Sequence, residues 1–318
     1  MKLPLIRIVC SIGICMGLSL VPFLFFGNAE SVVGTYTLDE TPNFSYGGAT
    51  TGPIDFGGTV AGSIDYPRQI DVYEFSADVG DTIIIRVSSN PGDLWAGVRL
   101  RDPDNSIIAE ARSFDTAEVC PTLSTSGVHK IELFDGFDGT NTGSYCLYLE
   151  RLNNPGNALS MDFGQVLDGT ITEAAQMEAF TFLATAGDYG IIRMTYISGA
   201  MWAGIRLYDP EGYLISESRS FNTAEILSNL PKTGSYVALA YDGWNGTCTG
   251  SFQMGLYMNT PGDANGDKSI DGHDLIATKM TMLDIAEPLS VLPGVDANQD
   301  GSVDGLDLIE IRKIILMT

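Results

Sequence analysis

Two twelve-residue stretches near the end of the chain carry the side chains best suited to chemistry. The first sets Asp263, Asn265, Asp267, Ser269, Asp271 and Asp274 at loop positions 1, 3, 5, 7, 9 and 12, and the second repeats the pattern 33 residues later with Asp296, Asn298, Asp300, Ser302, Asp304 and Asp307. Every one of these residues offers oxygen; none offers sulfur or imidazole. Calcium is a hard cation that takes roughly six to eight oxygens at flexible distances, from side chains at positions 1, 3, 5 and 12, a backbone carbonyl at 7 and position 9 often through water. Ser269 and Ser302 would lend their carbonyls. A single acidic loop can be a solvated turn, but two loops with every ligand position filled point to two calcium ions. Lys268 occupies position 6 of the first loop, where the rule prefers glycine and the second loop has Gly301. A non-glycine residue in a left-handed turn costs about 1–2 kcal/mol, so the first site is expected to be the weaker.

The elements that must position these loops are also repeated. Leu308, Ile311, Ile314 and Ile315 fall at helical spacing, as Leu275, Thr278, Met282 and Leu283 do more weakly. Each loop therefore leads into one helix, and Pro261 leaves no room for a helix before the first. A loop and a following helix, twice, with Asp rather than Glu at position 12, resembles a type I dockerin domain, from about Asp263 to Leu316. The resemblance implies a small α-helical module that folds around two calcium ions and binds a cohesin module on a scaffold protein. It also implies roles at the partner surface. Gly272, His273, Gly305 and Leu306 stand at the positions that help select the cohesin, where Ser-Thr pairs are frequent in the family. Lys279, Arg312 and Lys313 match basic positions facing the acidic cohesin surface. Such modules are carried mostly by secreted polysaccharide-degrading enzymes, and also by noncatalytic surface proteins.

Upstream lies a duplication. Residues 56–149 align without a gap onto residues 163–256. Trp95-Ala96-Gly97-Val98-Arg99-Leu100 returns as Trp202-Ala203-Gly204-Ile205-Arg206-Leu207, and Arg112-Ser113-Phe114 as Arg219-Ser220-Phe221. A repeat of this length is a complete small domain rather than a solenoid unit. Short alternating runs such as Val72–Phe75 and Tyr145–Leu149, separated by Gly and Asp turns, predict antiparallel β-sandwiches. The order of Val72-Tyr73-Glu74-Phe75, Val79-Gly80-Asp81, Val98–Pro103, Ser126-Gly127 and Gly143-Ser144-Tyr145 resembles the bacterial pre-peptidase C-terminal domain, which implies a jelly-roll-like sandwich and brings no catalytic residues. The fold expected is therefore mainly β: two tandem jelly-roll-like sandwiches at 53–152 and 161–259, with linkers at 30–52 and 153–160, and the helical module at 262–318.

Two features of the sandwiches invite a ligand reading. Trp95 with Arg99, and Trp202 with Arg206, would share the outer face of a strand and could stack on a sugar ring; the plainer alternative is that they cover the sandwich edge or pack one copy on the other. Asp135-Gly136-Phe137-Asp138 and Asp242-Gly243-Trp244-Asn245 carry oxygen side chains for a cation, but they also carry ordinary hairpin-loop residues.

Composition narrows the function class. With 40 acidic against 17 basic residues and a net charge of −23, nucleic acid is excluded as a partner, because phosphate binding needs clustered cations. Lys2 and Arg7, an apolar run from Ile8 to Phe26, and Gly27-Asn28-Ala29 read as a signal peptide over 1–29, so a secreted or cell-surface protein is expected, membrane-attached only if the run stays uncleaved. Cys120, Cys146 and Cys248 are too few for a disulfide framework, although Cys120 and Cys146 could pair. The two histidines, His129 and His273, offer no evident triad or zinc signature. The expectation is a noncatalytic docked protein, the alternatives being a glycoside hydrolase component with two catalytic carboxylates and a protease-associated module; polysaccharide is a second expected partner.

Overall fold

The computed structural model describes residues 51–89, 94–283 and 293–317; the expected signal peptide, most of the first linker and residue 318 lie outside them. In the first repeat the strands are β1 (Thr51–Pro53), β2 (Gly58–Ile64), β3 (Ile70–Ala77), β4 (Ile83–Ser89), β5 (Ala96–Arg101), β6 (Ile107–Ser113), β7 (Thr116–Val119), β8 (Gly127–Asp135) and β9 (Gly143–Arg151). They form two layers, one of order β1-β3-β8-β5-β6 and one of order β2-β9-β4-β7. The second repeat provides β10 (Leu159–Ser160), β11 (Gln165–Ile171), β12 (Met177–Ala184), β13 (Tyr189–Gly199), β14 (Ala203–Tyr208), β15 (Leu214–Ser220), β16 (Thr223–Asn229), β17 (Gly234–Asp242) and β18 (Gly250–Met258). Its layers follow the same order, β10-β12-β17-β14-β15 and β11-β18-β13-β16. The pairing is antiparallel except at one edge of each repeat, where the short strands β1 and β10 run parallel to β3 and β12.

Each sandwich has its own apolar core between its layers. In the first, Ile83, Ile85, Val98, Leu100, Ile131 and Leu147 meet there; in the second, Phe180, Ile192, Ile205, Leu207, Ala238 and Met254. The alternation expected of half-buried strands holds for β3 but fails for β4, all of whose residues are buried. Of the matching residues 190–196 of β13, Arg193, Thr195 and Tyr196 are only half-buried, where Arg86, Ser88 and Ser89 of β4 are buried. The reason is a third core, which lies between the repeats. Ile84 and Tyr148 on the outer face of the first sandwich, with Leu152, pack against Met177, Tyr208, Val237, Leu239 and Tyr241 on the outer face of the second. The 153–160 segment is likewise held: the Thr82 carbonyl accepts from the Leu152 N–H, Asn153 Nδ2 donates to the Gly80 carbonyl, and Arg151 Nε donates to that of Asn154.

Beyond β18 come α1 (Gly272–Met282), a 3₁₀ turn (Pro293–Val295) and α2 (Gly305–Met317). Helix α1 starts where it does because the Asp271 carboxylate accepts the His273 N–H while the Asp274 carboxylate accepts the Asp271 N–H, a reciprocal cap. The helical spacing read from the sequence puts Thr278 and Ile311 at the buried centre, but Met282 and Leu283 are exposed. Among the described residues no helix is long and apolar enough to cross a membrane.

Candidate metal centre and the surfaces around it

The two acidic loops fold onto one plan. In the first, Asp263 Oδ1 and Oδ2 accept the N–H groups of Asp267 (3.0 Å) and Lys268 (2.9 Å). Asp267 Oδ1 accepts the Ser269 N–H at 2.8 Å, and Asp274 accepts those of Asn265 (3.1 Å) and Asp271 (2.7 Å). In the second, Asp296 accepts from Asp300 (3.1 Å) and Gly301 (2.9 Å), Asp300 from Ser302 (2.9 Å), and Asp307 from Asn298 (3.2 Å) and Asp304 (2.8 Å). The sequence repeat is therefore a repeat of hydrogen bonds as well. Each carboxylate oxygen keeps a further lone pair after such a bond, so the same groups that shape the loop can face a cation.

Whether the residues fit calcium can be judged from their surroundings. Asp263, Asp274 and Asp307 are buried, and among the described residues the ion pairs around the module are Lys268–Asp188, His273–Asp271 and Lys313–Glu310. None neutralises the three buried carboxylates. Burial pushes the Asp263 carboxyl up to about 6 and raises that of Asp274, the response of a buried charge without a counter-ion. Among the described residues no three His, Cys, Asp or Glu side chains form a ready metal cluster. The donor set is instead completed by the Asn265 and Asn298 amides and the Ser269 and Ser302 carbonyls, which suits calcium and not a softer metal. A calcium ion there would be held by Asp263, Asn265, Asp267, Ser269 and Asp274, with Asp271 at the rim, and a second by the matching residues from Asp296 to Asp307.

The backbone revises the expected inequality of the loops. Lys268 is indeed left-handed, at φ 74°, but the second loop carries the same burden two positions earlier, where Gln299 sits at φ 59° and the first loop has Gly266. Each loop thus holds one glycine and one non-glycine in left-handed backbone, and the strain argument for a weaker first site cancels. Lys268 also has work of its own. Its Nζ lies 2.5 Å from Asp188 and 4.2 Å from the centre of the Phe163 ring, both in the second sandwich. The Gly266 carbonyl accepts the Met258 N–H at 2.8 Å, which seats the first loop on β18.

All seven residues assigned to the partner surface, Gly272, His273, Lys279, Gly305, Leu306, Arg312 and Lys313, are exposed. Ile276 and Met280 on α1 and Ile309 on α2 are exposed as well. Sequence reasoning counted no such apolar set, since it looked for the buried stripe of each helix; a helix apolar on more than one side is the signal that finds it.

The proposed Trp–Arg platforms are absent. Arg99 is buried, with Nε 2.7 Å from Glu110 and Nη1 2.9 Å from Glu132. Arg206 Nη1 lies 2.6 Å from Glu118 of the first sandwich, so this arginine joins the two repeats. Trp95 and Trp202 turn elsewhere, into aromatic corners built from motifs that are far apart in the chain. Trp95 meets Phe114 and Phe137 at centroid distances of 5.7 and 4.9 Å, and Trp202 meets Phe221 and Trp244 at 5.7 and 4.6 Å. The Asp135 and Asp242 loops organise these corners. Asp135 accepts the N–H groups of Trp95, Phe137, Gly139 and Asn141, and Asp242 those of Trp202, Trp244, Gly246 and Cys248. These carboxylates serve the turn. A Cβ at Gly136 or Gly243 would come within 2.8 Å of the Ala96 or Ala203 carbonyl oxygen, so only glycine lets the loop close on the neighbouring strand, β5 or β14. The three described cysteines are free thiols. His129 is buried and stacked on Phe75, as Tyr236 is on Phe182.

The paired loop–helix units form a small module appended to a β body. Residues 261–316 match the family described as dockerin type I domain, and the chain accordingly carries a C-terminal type I dockerin, a class of domain that binds cohesin in assembling a complex. A search of curated proteins finds no match. Among solved structures, the chain is similar to the pre-peptidase C-terminal domain of a collagenase from Bacillus anthracis, at 17% identity and TM-score 0.28, over 32% of this chain and 97% of that one. It is also similar to PliG, a periplasmic inhibitor of g-type lysozyme from Aeromonas hydrophila, at 16% identity and TM-score 0.27, over 32% and 96%.

Proposed function

We propose that the protein acts outside the cell as a docked, noncatalytic component. Its dockerin binds two calcium ions and engages a cohesin on a scaffold protein, and the tandem sandwiches are the body thereby brought to the assembly. The observation that carries this reading is the pairing of two loops with matching hydrogen-bond networks and an exposed surface holding Gly272, His273, Gly305, Leu306 and the three basic residues. Calcium neutralises the buried carboxylates and so sets the angle at which α1 and α2 present that surface. The module holds eleven acidic residues against four basic ones, so folding and docking should both need the metal.

The test is surface plasmon resonance of the intact chain against a panel of type I cohesins, with calcium and again after chelation. Calcium-dependent binding that Leu306→Asp reduces by at least about tenfold, with two ions bound per chain by calorimetry, is the expected result. No cohesin captured in calcium, or capture unchanged by chelator, overturns the reading.

A further inference from the structure

We propose that a cleft at the seam between the two sandwiches is a binding site for an uncharged saccharide. It encloses about 300 Å³ and draws Arg86, Asp115 and Glu118 from the first sandwich and Arg206, Trp244 and Asn245 from the second. Neither repeat makes it alone. The Asp242–Thr247 loop closes one wall because it is clamped to the first sandwich, with Ser88 Oγ donating to the Gly246 carbonyl at 2.9 Å and Thr116 Oγ1 donating to that of Asn245 at 2.5 Å.

The floor holds hydrogen-bond donors without acceptors. The Arg86 side chain is 6% exposed, and its Nε and Nη1 have no hydrogen-bond partner, while Arg206 Nε makes no hydrogen bond but lies 3.4 Å from Glu217 Oε1. Both guanidinium groups lie 5.0 Å from the centre of the Tyr241 ring, one from each sandwich. Glu118 is the carboxylate between them, 2.6 Å from Arg206 Nη1 and 3.9 Å from Arg86 Nε. Buried polar groups are nearly always satisfied, and one left unmade costs about 1–3 kcal/mol. These nitrogens are closed off beneath the cleft surface, so a ligand oxygen recovers that cost only as the side chains over them give way.

The rest of the lining says which ligand. Three arginines, with Arg219, face three carboxylates, Asp115, Glu118 and Asp242, so the cleft calls for no net charge. A chain at −23 repels polyanions besides. Donors and acceptors side by side match hydroxyl groups, which do both. At the rim Trp244 is 59% exposed, and it is buttressed by Trp202. An indole held in this way offers a flat face to the C–H side of a sugar ring. The first sandwich has an equally exposed ring in Phe137, at 58%, but that residue does not line the cleft.

The site stands apart from the docking reading, and the experiment separates them. Calorimetry on the intact chain in calcium would titrate cellohexaose, xylohexaose and mannohexaose, with trigalacturonic acid as the charged control. Binding of at least one neutral oligosaccharide is expected, weakened at least about tenfold by Trp244→Ala and unchanged by Phe137→Ala. Trp244→Ala should leave cohesin capture intact. Heat from none of the neutral sugars, binding confined to the galacturonate, or equal loss in both variants would overturn the assignment.

Discussion

Lys268 and Gln299 show how one backbone requirement is met at different sequence positions. Both loops need left-handed backbone at positions 4 and 6, and each supplies glycine at only one. Gln299 is exposed, so Gln299→Gly should relieve strain of about 1 kcal/mol and tighten the second calcium site several-fold by calorimetry, leaving the first unchanged. Glu150 makes a second prediction at this scale. It is buried, with its carboxylate accepting the Arg151 N–H and the Tyr148 hydroxyl, and burial pushes it up to about 7 from 4.5. The folded state therefore holds the proton more tightly than the unfolded chain does. Its contribution to stability is full below about pH 4.5 and is lost as pH rises through about 7. At about pH 8 the ionised carboxylate costs up to about 3 kcal/mol. Urea unfolding of Glu150→Gln should show a gain over the parent at about pH 8 that vanishes near pH 4.5; a difference independent of pH would refute the assignment.

At the scale of elements, the helices were legible where periodicity is informative and opaque where it is not. Their existence and start followed from the loops, because Asp271 and Asp274 are at once the last loop positions and the cap of α1. Their exposed apolar residues did not follow, because a short helix rich in Ile, Leu and Met fits more than one stripe. The seat of the first loop is a property of this level too. Lys268→Ala removes both its ion pair with Asp188 and its contact with the Phe163 ring, worth about 0.5–2 kcal/mol together when partly exposed. Limited proteolysis should then cut the 259–262 connection several-fold faster, with the sandwiches unaffected. An unchanged cleavage rate would mean that the β18 contacts alone hold the module.

At the scale of the whole molecule, the tandem repeats are joined by a core of their own. Ile84 is fully buried in the seam, packed with Tyr148 and Leu152 against the outer face of the second sandwich. Ile84→Ala should cost about 2–4 kcal/mol and turn one unfolding transition into two, as each sandwich keeps its own interior core. A single shifted transition in calorimetry would show instead that the repeats unfold only together. Joining the repeats also creates the seam cleft, since Arg86 and Arg206 approach one ring only when the two sheets are stacked.

The acidic loops, the duplication and the β character follow from the sequence alone, because ligand spacing within twelve residues, an internal repeat and strand alternation are local properties of the chain. What covers an outward face is not local. Tertiary structure decided that β4 is buried on both sides, that Arg99 and Arg206 spend their charge on Glu110, Glu132 and Glu118, and that Trp202 belongs with Trp244 rather than with Arg206. Each of these depends on residues distant in the chain or on the other repeat, and a strand's own pattern of side chains is the same whether its outer face meets water or a second sheet.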